Sequence, residues 1–450
     1  MSRDPLPTWL TRRPDLPQSL AETLPWTGSL GRGAIGRMAA GRGHFGHALA
    51  LAPEDPYVLA RAGFFEQAAE QAKPGEAAWL AAMAGLGRLD LLDEAADGFS
   101  RVKPGDRRWI AGLAAAWDPA RGQALLSDDM ATERAACLLA AGDVEGAEAL
   151  LADHRRSAER SLLLAAGAAR RGDYRQARVR IDAAFAAQGL PTPLREETDR
   201  PAELGDFGGA VQAADDPETV SVIVPVKDAA ATLPMALDSL RAQSWRALEI
   251  LVVDDGSADG SADLARELAA RDTRIRVLAN EGTPGAAGAR NAGMAAATGA
   301  WIAFHDADDW SHPLRIQQQV EAARTERALA SVSRHFRLAG GGPTAPRVFP
   351  ILRACPISVV VRADAARAAG PFEDAPVGTD SEWLSRLDLL FGRMNVVRLP
   401  RAHVVAGWTE ASLSGSPVDG MATTAGRQAR EAYERDWRAR HAQRVREGFR

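Results

Sequence analysis

Four short apolar runs, VSVIVPV (220–226), EILVVDD (249–255), RIRVLAN (274–280) and WIAFHDA (301–307), recur with helix-forming stretches at 233–243, 261–271 and 287–297 between them. This alternation predicts parallel strands joined by crossover helices, an α/β sheet covered on both faces. Ligands of such sheets sit at the carboxyl ends of the strands. Three runs end there in special residues: Pro225-Val226-Lys227-Asp228, Asp254-Asp255-Gly256-Ser257 and Asp306-Ala307-Asp308-Asp309. Carboxylates gathered on one edge repel one another unless a cation or hydrogen-bond donors share the site. A divalent metal with a phosphorylated ligand is the simplest chemistry that satisfies them.

The first half reads differently. Residues 45–190 are rich in Ala and Leu at helical spacing, with short Gly-Asp or Pro-Gly punctuation. ERAACLLAAGDVEGAEALLADH (133–154) is echoed by RSLLLAAGAARRGDYRQARVRIDAAF (160–185), and the Gly-Asp steps at 142–143 and 172–173 match. The pattern resembles degenerate tetratricopeptide-type repeats, whose helix pairs need a neighbouring pair to cover their apolar face. A non-repetitive helical bundle is the alternative. Between the halves, 191–218 is rich in Pro, Gly, Asp and Glu and is expected to be an exposed linker.

Composition excludes several classes. Fifty-four basic against 59 acidic side chains give a net charge of −5, so no nucleic-acid partner is expected. Two cysteines are too few for a disulfide framework. Neither a signal-peptide core nor an eighteen-residue apolar run occurs, so a cytoplasmic location is expected.

The region from Val220 to about Ser414 resembles an inverting glycosyltransferase of family 2 with the nucleotide-sugar-binding GT-A fold. The resemblance rests on VSVIVPVKDAAATLPMALDSLRAQSW, LEILVVDDGSADGS, GAAGARNAGMAAATGAWIAFHDADDWSHPLRI, the CPISVVVRADAARAAGPFED block and GTDSEWLSRL, in family order. It implies that Asp255 hydrogen-bonds the nucleotide base and that the backbone at Pro225, Val226 and Lys227 lines the base pocket. Arg290 falls where relatives place a basic residue against the nucleotide, Asp306 faces the ribose, and Asp308 binds Mn²⁺ or Mg²⁺ at the diphosphate. Asp380, six residues before Arg386, is the implied general base.

The chemistry agrees with these roles. A nucleoside diphosphate leaves readily only when charge on its oxygens is neutralised. An acceptor hydroxyl attacks at neutral pH only when a carboxylate takes its proton. Glu382 and Trp383 are further candidates on the acceptor side, Trp383 by stacking on a sugar ring. An acidic first helical turn and a helix core are the alternative readings of Asp380, Glu382 and Trp383.

Three positions depart from the family pattern: Lys227 replaces an aromatic, Thr379 a Glu, and Thr409 a His, with His403 nearby but out of register. GTPGAAGARN (282–291) fits neither a dinucleotide nor a P-loop motif, and DGSADGSADLAR (255–266) lacks the closing Glu of a calcium loop. The arginine-rich end, 427–450, could dock on anionic lipid at the inner face of the membrane; packing on its own domain is preferred.

The expected organisation is an extension (1–44), a helical repeat-like domain (45–190), a linker (191–218), a GT-A domain (219–426) and a basic C-terminal helix (427–450). The expected activity is transfer of a sugar from a nucleotide-diphosphate donor, most simply of UDP type, to a carbohydrate, lipid-linked or protein acceptor in surface polysaccharide or glycoconjugate assembly. The helical half is expected to hold a partner protein or the acceptor. A degenerate catalytic half serving as a scaffold is the competing reading.

Overall fold

The computed structural model describes residues 32–447, apart from 42–43, 195–197, 210, 346, 411, 413–414, 419 and 422. The expected signal-peptide absence therefore concerns residues outside those described. The N-terminal half is helical throughout: Arg32–Gly41 (α1), Phe45–Leu51 (α2), Pro56–Arg61 (α3), Phe65–Gln71 (α4), Ala77–Gly85 (α5), Leu89–Glu94 (α6), Pro104–Ala115 (α7), Pro119–Ala124 (α8), Ala131–Ala141 (α9), Val144–Leu151 (α10), Ala158–Arg170 (α11) and Tyr174–Ala186 (α12). Helix α1 starts inside the expected extension, and its Ala39 and Ala40 are buried in the helical core.

The Gly-Asp punctuation has a local cause. Gly142 (φ +91°) and Gly172 (φ +76°) take the left-handed conformation that ends a helix cheaply only for glycine. The following aspartates cap the next helix: Asp143 accepts from the Gly146 N–H (2.8 Å) and Asp173 from the Gln176 N–H (3.0 Å). Each step thus folds two helices into a close pair, α9 with α10 and α11 with α12.

The second half alternates as the sequence predicts: Val220–Val226 (β1), Leu233–Arg241 (α13), Leu248–Asp254 (β2), Ser261–Arg271 (α14), Ile275–Ala279 (β3), Ala286–Ala296 (α15) and Trp301–Phe304 (β4). There follow Asp309–Ser311 (β5), Arg315–Thr325 (α16), Ala330–Ala339 (β6), Gly342–Thr344 (β7), Arg353–Ala354 (β8), Val360–Arg362 (β9), Ala363–Ala369 (α17), Thr379–Phe391 (α18), Val396–Gly407 (β10) and Thr424–Arg446 (α19). The strand order is β3-β2-β1-β4-β9-β6-β10-β5, with β7 and β8 also on β6. Strands β1 to β4 pair in parallel, so their carboxyl ends share one edge. Beyond β4 the sheet is mixed: β9 runs antiparallel to both β4 and β6, and β5 antiparallel to β10. The expectation of a mostly parallel sheet holds for β1 to β4; in the other half β6 and β10 still pair in parallel, while the short strands return antiparallel without helical crossovers.

The two halves share one apolar core. Phe185 of α12 is fully buried, stacked on His312 (5.8 Å between centroids) and edge-on to Trp310 and Phe336. The segment expected to be an exposed linker is packed instead. Phe207 is buried against Trp310, Leu194 and Ala202 form bridges, and Asp206 pairs with the buried Arg178. Leu194, Ala202 and Phe207 pack into the seam, and Asp206, Asp216 and Glu218 find arginine partners. Phe185→Ala is accordingly expected to cost about 3–5 kcal/mol. Helical circular dichroism and tryptophan fluorescence should then fall together at a lower temperature; helices that melt as before would contradict a shared core.

Helix α19 packs on the protein as well. Trp437, His441 and Ala442 are buried, and the Tyr433 hydroxyl donates to Glu373 (2.9 Å). Its described aromatic residues, Tyr433 and Trp437, are used internally, in keeping with the preferred reading of a helix packed on its own domain; Phe449 lies outside the described residues. No helix among the described residues is long and apolar enough to cross a membrane.

Candidate active site

The crevice begins where β1 and β2 end. The N–H of Asp255 donates to the carbonyl of Val226 (2.8 Å), tying the two strand ends together. One Asp255 carboxylate oxygen accepts from Asn280 Nδ2 (2.5 Å), the other from the Gly285 N–H (2.8 Å). Lys227 Nζ donates to the carbonyl of Asp255 (3.0 Å) and to that of Gly256. Pro225 and Val226 thus lie beside Asp255 through their backbone, with the Val226 side chain buried beneath.

Helix α15 carries the site from there to β4. Gly293 lets it lie close on β1, since a Cβ there would meet Ile223 at 2.4 Å. Arg290 on this helix donates to Asp306 (2.7 Å) and lies 5.7 Å from the Phe372 ring centroid. Burial works to raise the Asp306 carboxyl, but the Arg290 guanidinium more than offsets it and holds it below the usual carboxylate range. Asp308 is pushed up to about 6, by burial first and by the Asp306 charge second. Asp309 is buried, accepts the Gly407 N–H (3.2 Å), and is raised well above the usual range by burial and by Asp308 and Asp306.

Asp380, in the first turn of α18, faces the same cluster. Burial raises its carboxyl, while the Arg290 charge and the Ser381 N–H (2.8 Å) work against that rise and Asp306 adds to it. The structure therefore brings Asp306, Asp308 and Asp380 each within electrostatic reach of Arg290, and α15 links them to Asp255.

Glu382 and Trp383 are not part of it. Glu382 is fully buried, forked onto Arg386 and paired with His441 Nε2 (2.9 Å) of α19. Trp383 is fully buried, stacked on Phe372 (4.9 Å), with its indole N–H on the Gly370 carbonyl (2.9 Å). The expectation that they face the acceptor is corrected, because both point from α18 into the interior. His403 is also interior, on Gln318 (2.9 Å).

Sequence reasoning missed three contributors. Asn280 and Gly285 fix Asp255, and neither stands out from a loop. Arg337 of β6 sets a positive charge near Asp306, Asp308 and Asp309, bonds the Gly407 carbonyl (3.3 Å) and lies over Trp408 at 5.3 Å. No motif marks an arginine in a strand; only the sheet register, Arg337 beside Ala406 beside Asp309, reveals it. Among the described residues no group of three His, Cys, Asp or Glu is placed to hold a metal ion unaided.

Residues 221–361 match the family model described as Glycosyl transferase family 2. This segment is a family 2 glycosyltransferase domain. The domain's relatives include a putative glycosyltransferase, EpsH, of Bacillus subtilis (strain 168), 41% identical over 107 residues, 24% of this chain and 31% of the relative. Another is the Escherichia coli UDP-Glc:alpha-D-GlcNAc-diphosphoundecaprenol beta-1,3-glucosyltransferase WfaP, 33% identical over 119 residues, 26% of this chain and 47% of the relative. The chain thus spans under half the length of the curated relatives named here. Among solved structures it is similar to S. aureus TarS 1-349 in complex with UDP-GlcNAc, at 18% identity and a TM-score of 0.37, covering 51% of this chain and 71% of that one. A likeness that distant does not bear on what the domain binds.

Proposed function

We propose that this chain transfers a sugar, with inversion, from a nucleoside diphosphate sugar of UDP type to an acceptor hydroxyl, in surface polysaccharide or glycoconjugate assembly. The observation that carries the reading is the meeting of Asp306, Asp308 and Asp380 around Arg290 at the carboxyl edge of the sheet. Asp380 is the base: a carboxylate lifted above its ordinary range holds a proton better, as deprotonation of an attacking hydroxyl requires. Attack from the side opposite the leaving diphosphate inverts the anomeric centre.

The carboxylates also fit a hard cation. Asp308 and Asp306 offer oxygen ligands, and the rise of Asp308 to about 6 records a negative field that a divalent ion relieves. With no third protein ligand beside them among the described residues, a Mn²⁺ or Mg²⁺ held by Asp308 would need phosphate oxygens and water as its further ligands. Such an ion, when bound, neutralises charge on the leaving diphosphate. Arg290 keeps Asp306 ionised and aligned, Arg337 adds positive potential beside the phosphates, and Asp255 accepts a base N–H. Under the competing reading, a degenerate scaffold, no purpose remains for crowding three acids at this edge.

A thermal-shift screen of nucleoside diphosphates with and without Mn²⁺ tests the proposal. At a hundredfold excess over Kd, binding adds about 2.7 kcal/mol. UDP with Mn²⁺ is expected to raise the melting temperature of the wild type and not to do so in a metal-dependent way in Asp308→Ala; no response to any nucleotide would overturn the reading.

A further inference from the structure

Asp380 accepts the N–H of its neighbour Ser381 (2.8 Å), and among the described residues no side chain donates to it. The place of the base is therefore set by the helix that it opens, and a displacement of about 1 Å can cost a reaction about 10²-fold. Helix α19 holds that first turn. Its Tyr433 ring lies on Gly378, the residue before α18 begins, 3.3 Å from where a Cβ would stand. Two turns further along α19, His441 Nε2 donates to Glu382 (2.9 Å), two residues after Asp380, and both side chains are buried.

Glu382 passes this contact on. Its carboxylate forks onto Arg386, which donates in turn to the carbonyls of Ala369 (3.1 Å) and Pro371 (2.7 Å). The next residue, Phe372, exchanges two hydrogen bonds with Asn291: its N–H donates to the side-chain oxygen (2.7 Å) and its carbonyl accepts from the amide nitrogen (3.0 Å). Asn291 adjoins Arg290, whose guanidinium lies over the Phe372 ring. Arg386 alone would balance the Glu382 charge within α18. The further bond to a different helix fixes where α18 stands.

Helix α19 is itself seated on the helical half. Gly46 of α2 fits between α18 and α19, since a Cβ there would meet His441 at 2.9 Å and Leu389 at 3.3 Å. Arg438 donates to the Ala62 carbonyl (2.9 Å) and Arg446 to that of Leu49 (3.0 Å), both carbonyls at helix ends.

Resting on the transferase reading above, we infer that His441 is the positioning residue of the base: through Glu382 it fixes the first turn of α18 and so the reach of Asp380 to the acceptor hydroxyl. The helical half serves as the support of α19.

Two substitutions in the full chain separate this from a merely structural role. His441→Gln carries its amide nitrogen about as far as Nε2 and keeps the bond to Glu382; His441→Asn stops short and breaks it. Hydrogen exchange, read by mass spectrometry, is expected to speed about tenfold at residues 379–384 in the Asn variant and to keep the wild-type rate in the Gln variant, with β1 and β2 unmoved in both. Hydrolysis of UDP-glucose or UDP-N-acetylglucosamine with Mn²⁺ reads the base: the bond from the anomeric carbon to the diphosphate breaks, one to the water oxygen forms, and the water proton passes to Asp380. In His441→Asn its kcat should fall about tenfold at unchanged KM for the donor, and His441→Gln should restore it. Tyr433→Leu, at a half-buried position, strips the ring from Gly378 and should speed the same amides about threefold; it decides the matter where His441→Asn does not fold. Exchange in α18 unmoved by these changes, exchange raised equally throughout the chain, or a wild-type kcat in His441→Asn would overturn the assignment. A wild type that neither hydrolyses the two sugars nor melts higher with UDP, while exchange responds as stated, would contradict the transferase reading and leave the hold of α19 on α18 standing.

Discussion

Replacing Asp380 with Asn is expected to lower kcat by about 10²–10⁴-fold, the usual contribution of a positioned general base, with UDP affinity unchanged. The amide keeps the size and the Ser381 N–H contact but cannot take the acceptor's proton. Because burial raises the wild-type carboxyl, the acidic limb of the pH–rate profile should lie above the ordinary carboxylate range, activity falling as pH drops through that raised value. The stability sign is opposite. A carboxyl whose folded-state pKa is raised favours folding most when protonated and loses that contribution as pH rises through the folded value. At neutral pH Asp380→Asn should therefore melt no lower than the wild type. A variant that loses both activity and stability would make Asp380 a structural acid instead.

Trp383→Ala is expected to act in the reverse manner, costing about 3–5 kcal/mol of stability. The indole is fully buried, stacked on Phe372, and edge-on to Phe304 at 5.6 Å. Phe372 in turn lies beneath Arg290, so the substitution also loosens the platform on which the Arg290–Asp306 pair rests. Expression, melting temperature and near-ultraviolet circular dichroism should all fall. A protein that folds normally and shows only a raised KM for acceptor would restore the sugar-stacking role that the structure removes.

These two neighbours on one helix show how far sequence carries the site. Asp380 was legible because its chemistry is local: a carboxylate at a motif position, opening a helix. Trp383 was ambiguous because an aromatic at helical spacing serves core and ligand equally, and only burial decides. The strands β1 to β4 were legible from apolar, β-branched runs; β1, β2 and β4 are buried on both faces, with acids after their ends. The mixed half of the sheet was not, since β7, β8 and β9 have two or three residues each and carry no periodicity. Arg337 escaped for a related reason: its place beside Asp309 is set by register across three strands. The segment 191–218 misled because Pro and Gly signal irregular backbone, not exposure, and Ala202 and Phe207 anchor it in the core.

The central claim is that Asp255 and Asp308, far apart in sequence, act on one nucleotide. UDP titrations of the wild type, Asp255→Ala and Asp308→Ala, each with and without Mn²⁺, measure this most directly. Asp255→Ala should weaken UDP under both conditions, because it removes an acceptor for the base; Asp308→Ala should abolish only the gain that Mn²⁺ brings. Unchanged UDP affinity in both variants would contradict a single nucleotide crevice at this edge of the sheet.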